Sequence, residues 1–267
     1  MPETVFLTER EPLVFKAARW LVGKPVSRLV DLSGISVVVP TAGAARRLRG
    51  ELLRVAASDG GGLLPPRLTS PLGLLVLPPQ AAQRCDVQLA WMDAIATARP
   101  GGYPALLSGF SDLRDPATLL RIAGSLMDVC AILGEAGLTP ESSAVASACP
   151  LEEDRWREVA GLYARYRQRL DAAGLADPNE ARIRAVEAAV PPDGIRQIVL
   201  AGVPDLNPLT QRYVERLETA GVAVSVLVDA PDCADARFDA WGRPDVEIWT
   251  QACPAVRLED FFVLADR

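Results

Sequence analysis

"SVVVPTAGAARRLRGELLRVA", residues 36–56, is the stretch on which the fold turns. Ile35 to Val39 is an apolar run, Ser36 excepted, ended by Pro40, the pattern of a strand covered on both faces in a parallel sheet. Small residues follow from Thr41 to Ala45, and then Ala45, Leu48, Leu52 and Val55 recur at helical spacing while Arg47 and Arg54 fall on another face. The stretch is therefore a strand-to-helix junction, and its chemistry has two readings. In the plainer one, small residues permit tight packing and the arginines solvate the surface. In the other, Thr41 and the free N–H groups of the helix start, with Arg46 and Arg47 in the next turns, grip a phosphate.

Working outward, "TVFLT" (4–8) is short, β-branched and apolar, and it leads into a helical pattern on Leu13, Ala17, Trp20 and Leu21. Glu11 and Pro12 suit the first turn of that helix and Gly23 its end. On the other side, "PPRLTSPLGLL" (65–75) reads as a very short strand over Arg67 to Thr69, with Ser70 able to cap the following turn and Pro71 at its first position. Thr69 and Ser70, at a neighbouring strand end, add a second contact to the phosphate reading. Between the two junctions, "SDGGGLLPP" (58–66) follows a helix rather than a strand and is expected to be a flexible connection.

From about 80 to 190 the pattern is helical, in four segments beginning near Ala82, Asp115, Glu152 and Asp177. Pro100-Gly101-Gly102, Gly137 and Gly174 punctuate them. Strand character returns in "IRQIVLAG" (195–202) and "VAVSVLVDA" (222–230), with a helix between them that Asn207 caps and Gly221 ends. "DFFVLAD" (260–266) is expected to add a last strand. The layout is an α/β parallel sheet split by an all-helical insertion: residues 1–79 and 191–267 form the α/β part and 80–190 the insertion.

Composition narrows the chemistry. The 267 residues are 49% hydrophobic with mean hydropathy +0.15, enough apolar surface to fold. Net charge is -6, so contact with nucleic acid has to come from a local patch rather than from overall charge. Histidine is absent, which removes Ser-His and Cys-His pairs and the HExxH zinc site. Cys85, Cys130, Cys149, Cys233 and Cys253 are never closer than 19 residues, so no CxxC clip exists and a reducing compartment is expected. The longest uninterrupted apolar runs, such as Leu72 to Pro79, fall far short of the roughly 20 residues that span a bilayer. The N-terminus carries acids where a signal peptide is basic. A cytoplasmic protein without a membrane partner is the expectation.

Nucleotide chemistry has little support. The sole Gly-Lys pair, in "VGKPV" (22–26), sits at a helix end without the first glycine or the Ser/Thr of GxxxxGK[ST], and no GxGxxG follows a strand. The acids of "LEEDRW" (151–156) and "RLED" (257–260) lie far in sequence from the two lysines, Lys16 and Lys24, and read as solvated helix starts complementing the dipole. No catalytic residue, cofactor or metal site is assigned.

The order of these segments resembles a known family. "ISVVVPTAGAARRLRGELL" is similar to the motif that follows the first loop of superfamily-one helicases, in the degenerate form of AddB-type subunits of bacterial helicase-nucleases. "PPRLTSPLGLL" is similar to the family's Pro-Arg-Ile/Leu-x-Thr strand. "IVLAGVPDLNPLTQRYVERL" resembles its later Gly-Phe-x-x-Phe-x-Pro strand, with Val203 and Leu206 in place of the aromatics, and "FDAWGRP" resembles related PD-(D/E)XK nuclease family proteins. The resemblance implies a RecA-like (P-loop NTPase-like) sheet with an inserted helical subdomain, a degenerate nucleotide site, and a part in double-strand break repair. Such a domain is a non-catalytic scaffold touching single-stranded DNA backbone weakly, through Thr41, Arg46, Arg47, Thr69 and Ser70. The family's nuclease acids and iron-sulfur cysteines have no counterpart after residue 230, which fits a fragment of a longer nuclease or a reduced protein. Two alternatives stay open: a module that docks a helicase partner subunit without touching DNA, and an enzyme that binds a nucleotide through a non-standard loop.

Overall fold

The computed structural model describes residues 2–252, apart from 9, 24–27, 59, 111, 143–151, 204 and 231–236. The strand expected at 260–266, the acids of 257–260, Lys24 and the cysteines at 149, 233 and 253 lie outside the described residues.

The chain forms two compact units. The first, residues 1–70, 193–205 and 221–267, is built on a five-stranded parallel sheet. Its strands are β1 (Glu3–Phe6), β3 (Ile35–Val38), β5 (Arg67–Thr69), β6 (Gln197–Ala201) and β7 (Ala223–Val228), in the order β1-β7-β6-β3-β5. Register runs Val38 opposite Thr69, Val38 opposite Leu200 and Leu200 opposite Val226. The sequence run that reads as two-sided is two-sided. Val37, Val39, Val199, Ala201 and Leu227 share a core with Ala18 and Leu21 of α1 (Leu13–Val22) and with Leu48 and Leu52 of α2 (Ala42–Ser58). On the opposite pleat Val38, Ile198, Leu200, Val224, Val226 and Val228 are buried as well. Part of that face is closed by the turn Phe238–Pro244: a Cβ on Gly242 would stand 2.9 Å from Val228 Cγ2.

One expectation is corrected here. The glycine-rich stretch after α2 is not a loose connection: Gly62–Leu64 forms β4, parallel to β2 (Leu29–Asp31), with Leu29 opposite Gly62. Gly61 N–H donates to Ala56 O at 3.2 Å, and a Cβ there would meet Arg28 O at 2.8 Å. The glycines let the backbones approach closely enough to pair.

The second unit, residues 71–192 and 206–220, is helical. It holds α3 (Arg84–Ala96), α4 (Pro104–Leu107), α5 (Pro116–Glu135), α6 (Glu153–Ala172), α7 (Pro178–Ala188) and α8 (Pro208–Thr219). Three of these helices begin Asx-Pro. Asp115 accepts from Thr118 N, Asp177 from Glu180 N and Asn207 from Thr210 N, each at 2.8 Å, and the proline that follows gives up an N–H that has no partner in a first turn anyway. α3 starts with a capping box between Gln83 and Asp86.

The core of this unit stacks Trp91 on Tyr166 at 4.5 Å with Tyr163 beside them, among Ile95, Leu126 and Leu162. The unit begins at residue 71, not at 80, and α8 groups with it. The ties are polar as well as apolar: Tyr213 OH donates to Val190 O at 2.6 Å, and the Arg212 guanidinium to Ala136 O at 2.5 Å. α5 is long and apolar enough by composition to cross a bilayer, which a count of unbroken apolar runs misses because Arg121 and Asp128 interrupt it. In the fold its Leu119, Ile122, Ala123, Leu126 and Cys130 pack into the helical core. A last helix, α9 (Val246–Ala252), follows the Phe238–Pro244 turn in the first unit.

Candidate functional site

All five strands run the same way, so their carboxyl ends share one edge of the sheet. β3 connects onward to β5 on one side, whereas β6, its neighbour, connects to β7 on the other. The β3/β6 boundary is thus the point where strand order reverses, and in open α/β sheets ligands bind outside the strand ends at such a point. Pro40 and Thr41 leave β3 there, and Gly202 leaves β6. Gly202 has φ +65, and a Cβ on it would lie 2.8 Å from Leu13 Cδ2, so any other residue there is strained and displaces the Leu13 side chain.

Thr41 is the N-cap of α2: its Oγ1 accepts from Ala44 N at 3.0 Å and its carbonyl from Ala45 N at 3.0 Å. Acceptance leaves the hydroxyl proton free to donate outward. Arg46 and Arg47 are exposed one turn on, and among the described residues neither has a hydrogen-bond or ion-pair partner. Long helical side chains lean toward the turn preceding them, which for these two is the turn of Ala42, Gly43 and Ala44. Arg49 is exposed beside Arg46 and extends the basic face, whereas Arg54 is held by Glu51 at 2.6 Å.

Thr69 lies on the same edge, since it pairs with Val38 and its carbonyl accepts Val39 N at 2.9 Å. Its hydroxyl faces Ser70 O at 3.3 Å, so its proton is turned toward the chain rather than outward. Ser70 follows Thr69 and leads through Pro71 into the 3-10 turn Leu72–Leu74. Thr41 and Thr69 thus lie at the carboxyl ends of paired strands, with Ser70 next to Thr69 and with Arg46 and Arg47 exposed in the first turns of α2.

Sequence reasoning passed over Lys16. This lysine of α1 is 1% exposed, and its Nζ donates to Leu7 O at 2.7 Å and pairs with the half-exposed Asp229 carboxylate. Leu7 follows β1 and Asp229 follows β7, so the ammonium ties together the ends of two adjacent strands. The signal available in the sequence was weak: a lysine among apolar helical positions, with its partner 213 residues away.

The acids of 152–154 stand at the exposed start of α6 and pair with Arg155 and Arg157, as solvated helix-start acids do. Among the described residues no three Cys, Asp or Glu side chains converge in a way that could hold a metal ion. Compared with known proteins, the chain matches no family model. No curated protein matches it either.

Proposed function

We propose that the chain is a non-catalytic, helicase-like scaffold domain of an AddB-like DNA repair protein, gripping single-stranded DNA weakly by its backbone at the carboxyl edge of the sheet. The parallel sheet flanked by helices is consistent with a RecA-like fold, to which the resemblance in sequence points. The observation that carries the reading is the register of β3 against β5, which sets the capped start of α2, with Arg46 and Arg47, beside Thr69 and Ser70. Hydroxyls, uncovered helix N–H groups and unpaired guanidinium groups on one edge are what a phosphate backbone requires, and none of them reads base identity.

Lys16 supports the non-catalytic part of the reading. Its ammonium is spent on Leu7 O and Asp229, and so is not extended toward a triphosphate. The test is fluorescence anisotropy of a labelled oligo-dT titrated with the wild-type chain and with the double variant Arg46→Ala, Arg47→Ala at low salt. Binding is expected for the wild type and at least a tenfold weaker value for the variant, roughly the worth of one or two phosphate contacts. Equal affinity of the two proteins removes the edge from the role, and a saturable ATP complex at micromolar concentration removes the scaffold reading.

A further inference from the structure

Helix α2 carries four arginines and one acid over Ala42–Ser58, a net +3 in a chain whose total is -6. Its buried side is Leu48, Leu52 and Ala56. At about 100° per residue the opposite side presents Leu53, Arg46, Gly50, Arg54 and Arg47 in that angular order, all exposed, with Arg49 flanking Leu53. Gly50 lies at the middle of this arc. Arg46 and Arg47 stand one turn before it, and Leu53 and Arg54 one turn after it.

Nothing among the described residues accounts for this face. A Cβ on Gly50 would meet open space, so no neighbour requires glycine there, and a glycine in the middle of a 17-residue helix weakens it relative to alanine. Arg46 and Arg49 are like charges three residues apart, a spacing that also weakens a helix. Glu51 is the sole acid of the helix and is engaged by Arg54 at 2.6 Å. Arg46, Arg47 and Arg49 have no hydrogen-bond or ion-pair partner among the described residues. On α6, by contrast, the exposed Arg155, Arg157 and Arg169 are each met by acids: Glu152, then Glu153 with Asp154, then Asp93. Unshielded like charges around a bare stretch of backbone suit a polyanion lying close along the helix. Its charge offsets the repulsion, and a side chain at position 50 would hold it off.

We propose that single-stranded DNA leaves the sheet edge along α2, its sugar-phosphate chain resting on Gly50 between Arg46 and Arg47, with Arg49 as a further phosphate contact and Leu53 as an apolar contact for a sugar or base. The assignment rests on the DNA reading above and extends it from a grip at the edge to a path. Gly50 stands about 14 Å along the helix axis from Thr41, so the face continues the edge instead of forming a separate patch. Phosphate is the occupant that the charge selects: a face with three unpaired guanidinium groups and one leucine offers little to an uncharged partner.

Fluorescence anisotropy of labelled oligo-dT with the whole chain at low salt tests the path, with a melting temperature recorded for each variant. Gly50→Gln is expected to melt at or above the wild-type temperature, since glutamine is the better helix former, and yet to bind about threefold or more weakly. Arg49→Gln is expected to weaken binding to a similar degree and to lower the log-log salt slope by about 0.7, the share of one contact with single-stranded phosphate. Arg155→Gln makes the same change in net charge on α6 and is expected to leave affinity within about twofold. A loss there as large as that of Arg49→Gln assigns the effect to the overall field and overturns the path. If the double variant at Arg46 and Arg47 weakens binding while Gly50→Gln or Arg49→Gln binds as the wild type does, the path is overturned and the edge stands. If the wild type binds no oligo-dT, both fall. Displacement of the oligonucleotide by poly-glutamate at equal charge overturns the assignment in favour of an acidic protein partner.

Discussion

Lys16 illustrates how much one side chain can decide. A buried ammonium is tolerable only because Leu7 O and Asp229 meet it, and removing it leaves both a void and a half-exposed carboxylate without its partner. Lys16→Ala is expected to lower unfolding free energy by about 2–4 kcal/mol in urea titrations, with Lys16→Met recovering a good part because it refills the volume. Cysteine reactivity offers a second test at this scale. Cys85 is exposed, whereas burial pushes the Cys130 thiol up from 9.0 to about 12. Mass-spectrometric mapping after iodoacetamide treatment at pH 8 is expected to find Cys85 modified and Cys130 intact until the chain is unfolded. Neither residue's behaviour was legible beforehand, because exposure and partner are set by segments remote in sequence.

At the scale of elements, most of the architecture was readable. Helix starts were marked by Asp115-Pro116, Asp177-Pro178 and Asn207-Pro208, where side-chain caps and proline act locally. Asn207→Ala is expected to cost about 1 kcal/mol of thermal or denaturant stability, the usual worth of such a cap. β5 was readable despite its three residues because prolines frame it, while β2 and β4 were not, since three-residue strands carry no period and the glycines leading into β4 resemble a loop. The aromatic and thiol groups packed among α3, α5, α6 and α7 give this unit a pH signature. Burial raises the Cys130 pKa from 9.0 to about 12, and it raises the Tyr163 and Tyr166 phenols above their ordinary 10.0. A raised acid pKa means that the unfolded chain ionises first, so the stabilisation is whole below about pH 9 and is lost as pH rises toward 12. Melting temperature is expected to fall steeply across that window, and Cys130→Ala to flatten its lower part.

The whole molecule carries a net charge of -6, so any grip on DNA works against the overall field and rests on the few cations at the edge of the sheet. Oligo-dT affinity is accordingly expected to fall with salt, and the double variant at Arg46 and Arg47 to reduce the log-log salt slope by about 1.4, near 0.7 for each lost contact with single-stranded phosphate. An unchanged slope in the anisotropy series would place those arginines outside the contact. Among the candidate residues, Thr41, Arg46 and Arg47 were legible because a strand, a small-residue turn and a helix are all local patterns within one stretch of 21 residues. The nearness of Thr41 to Thr69 was also within reach, since only α2 and the three-residue β4 separate β3 from β5 and the two strands pair directly. Sequence by itself thus determined the parallel α/β class, the helical insertion and the basic helix start, because backbone preference and apolar period act over a few residues. Only the tertiary structure decided the strand order and the commitment of Lys16 to Asp229. Each of those depends on side chains meeting across long stretches of chain, and burial, which sets the energy of an unpaired charge, exists only once the chain has folded.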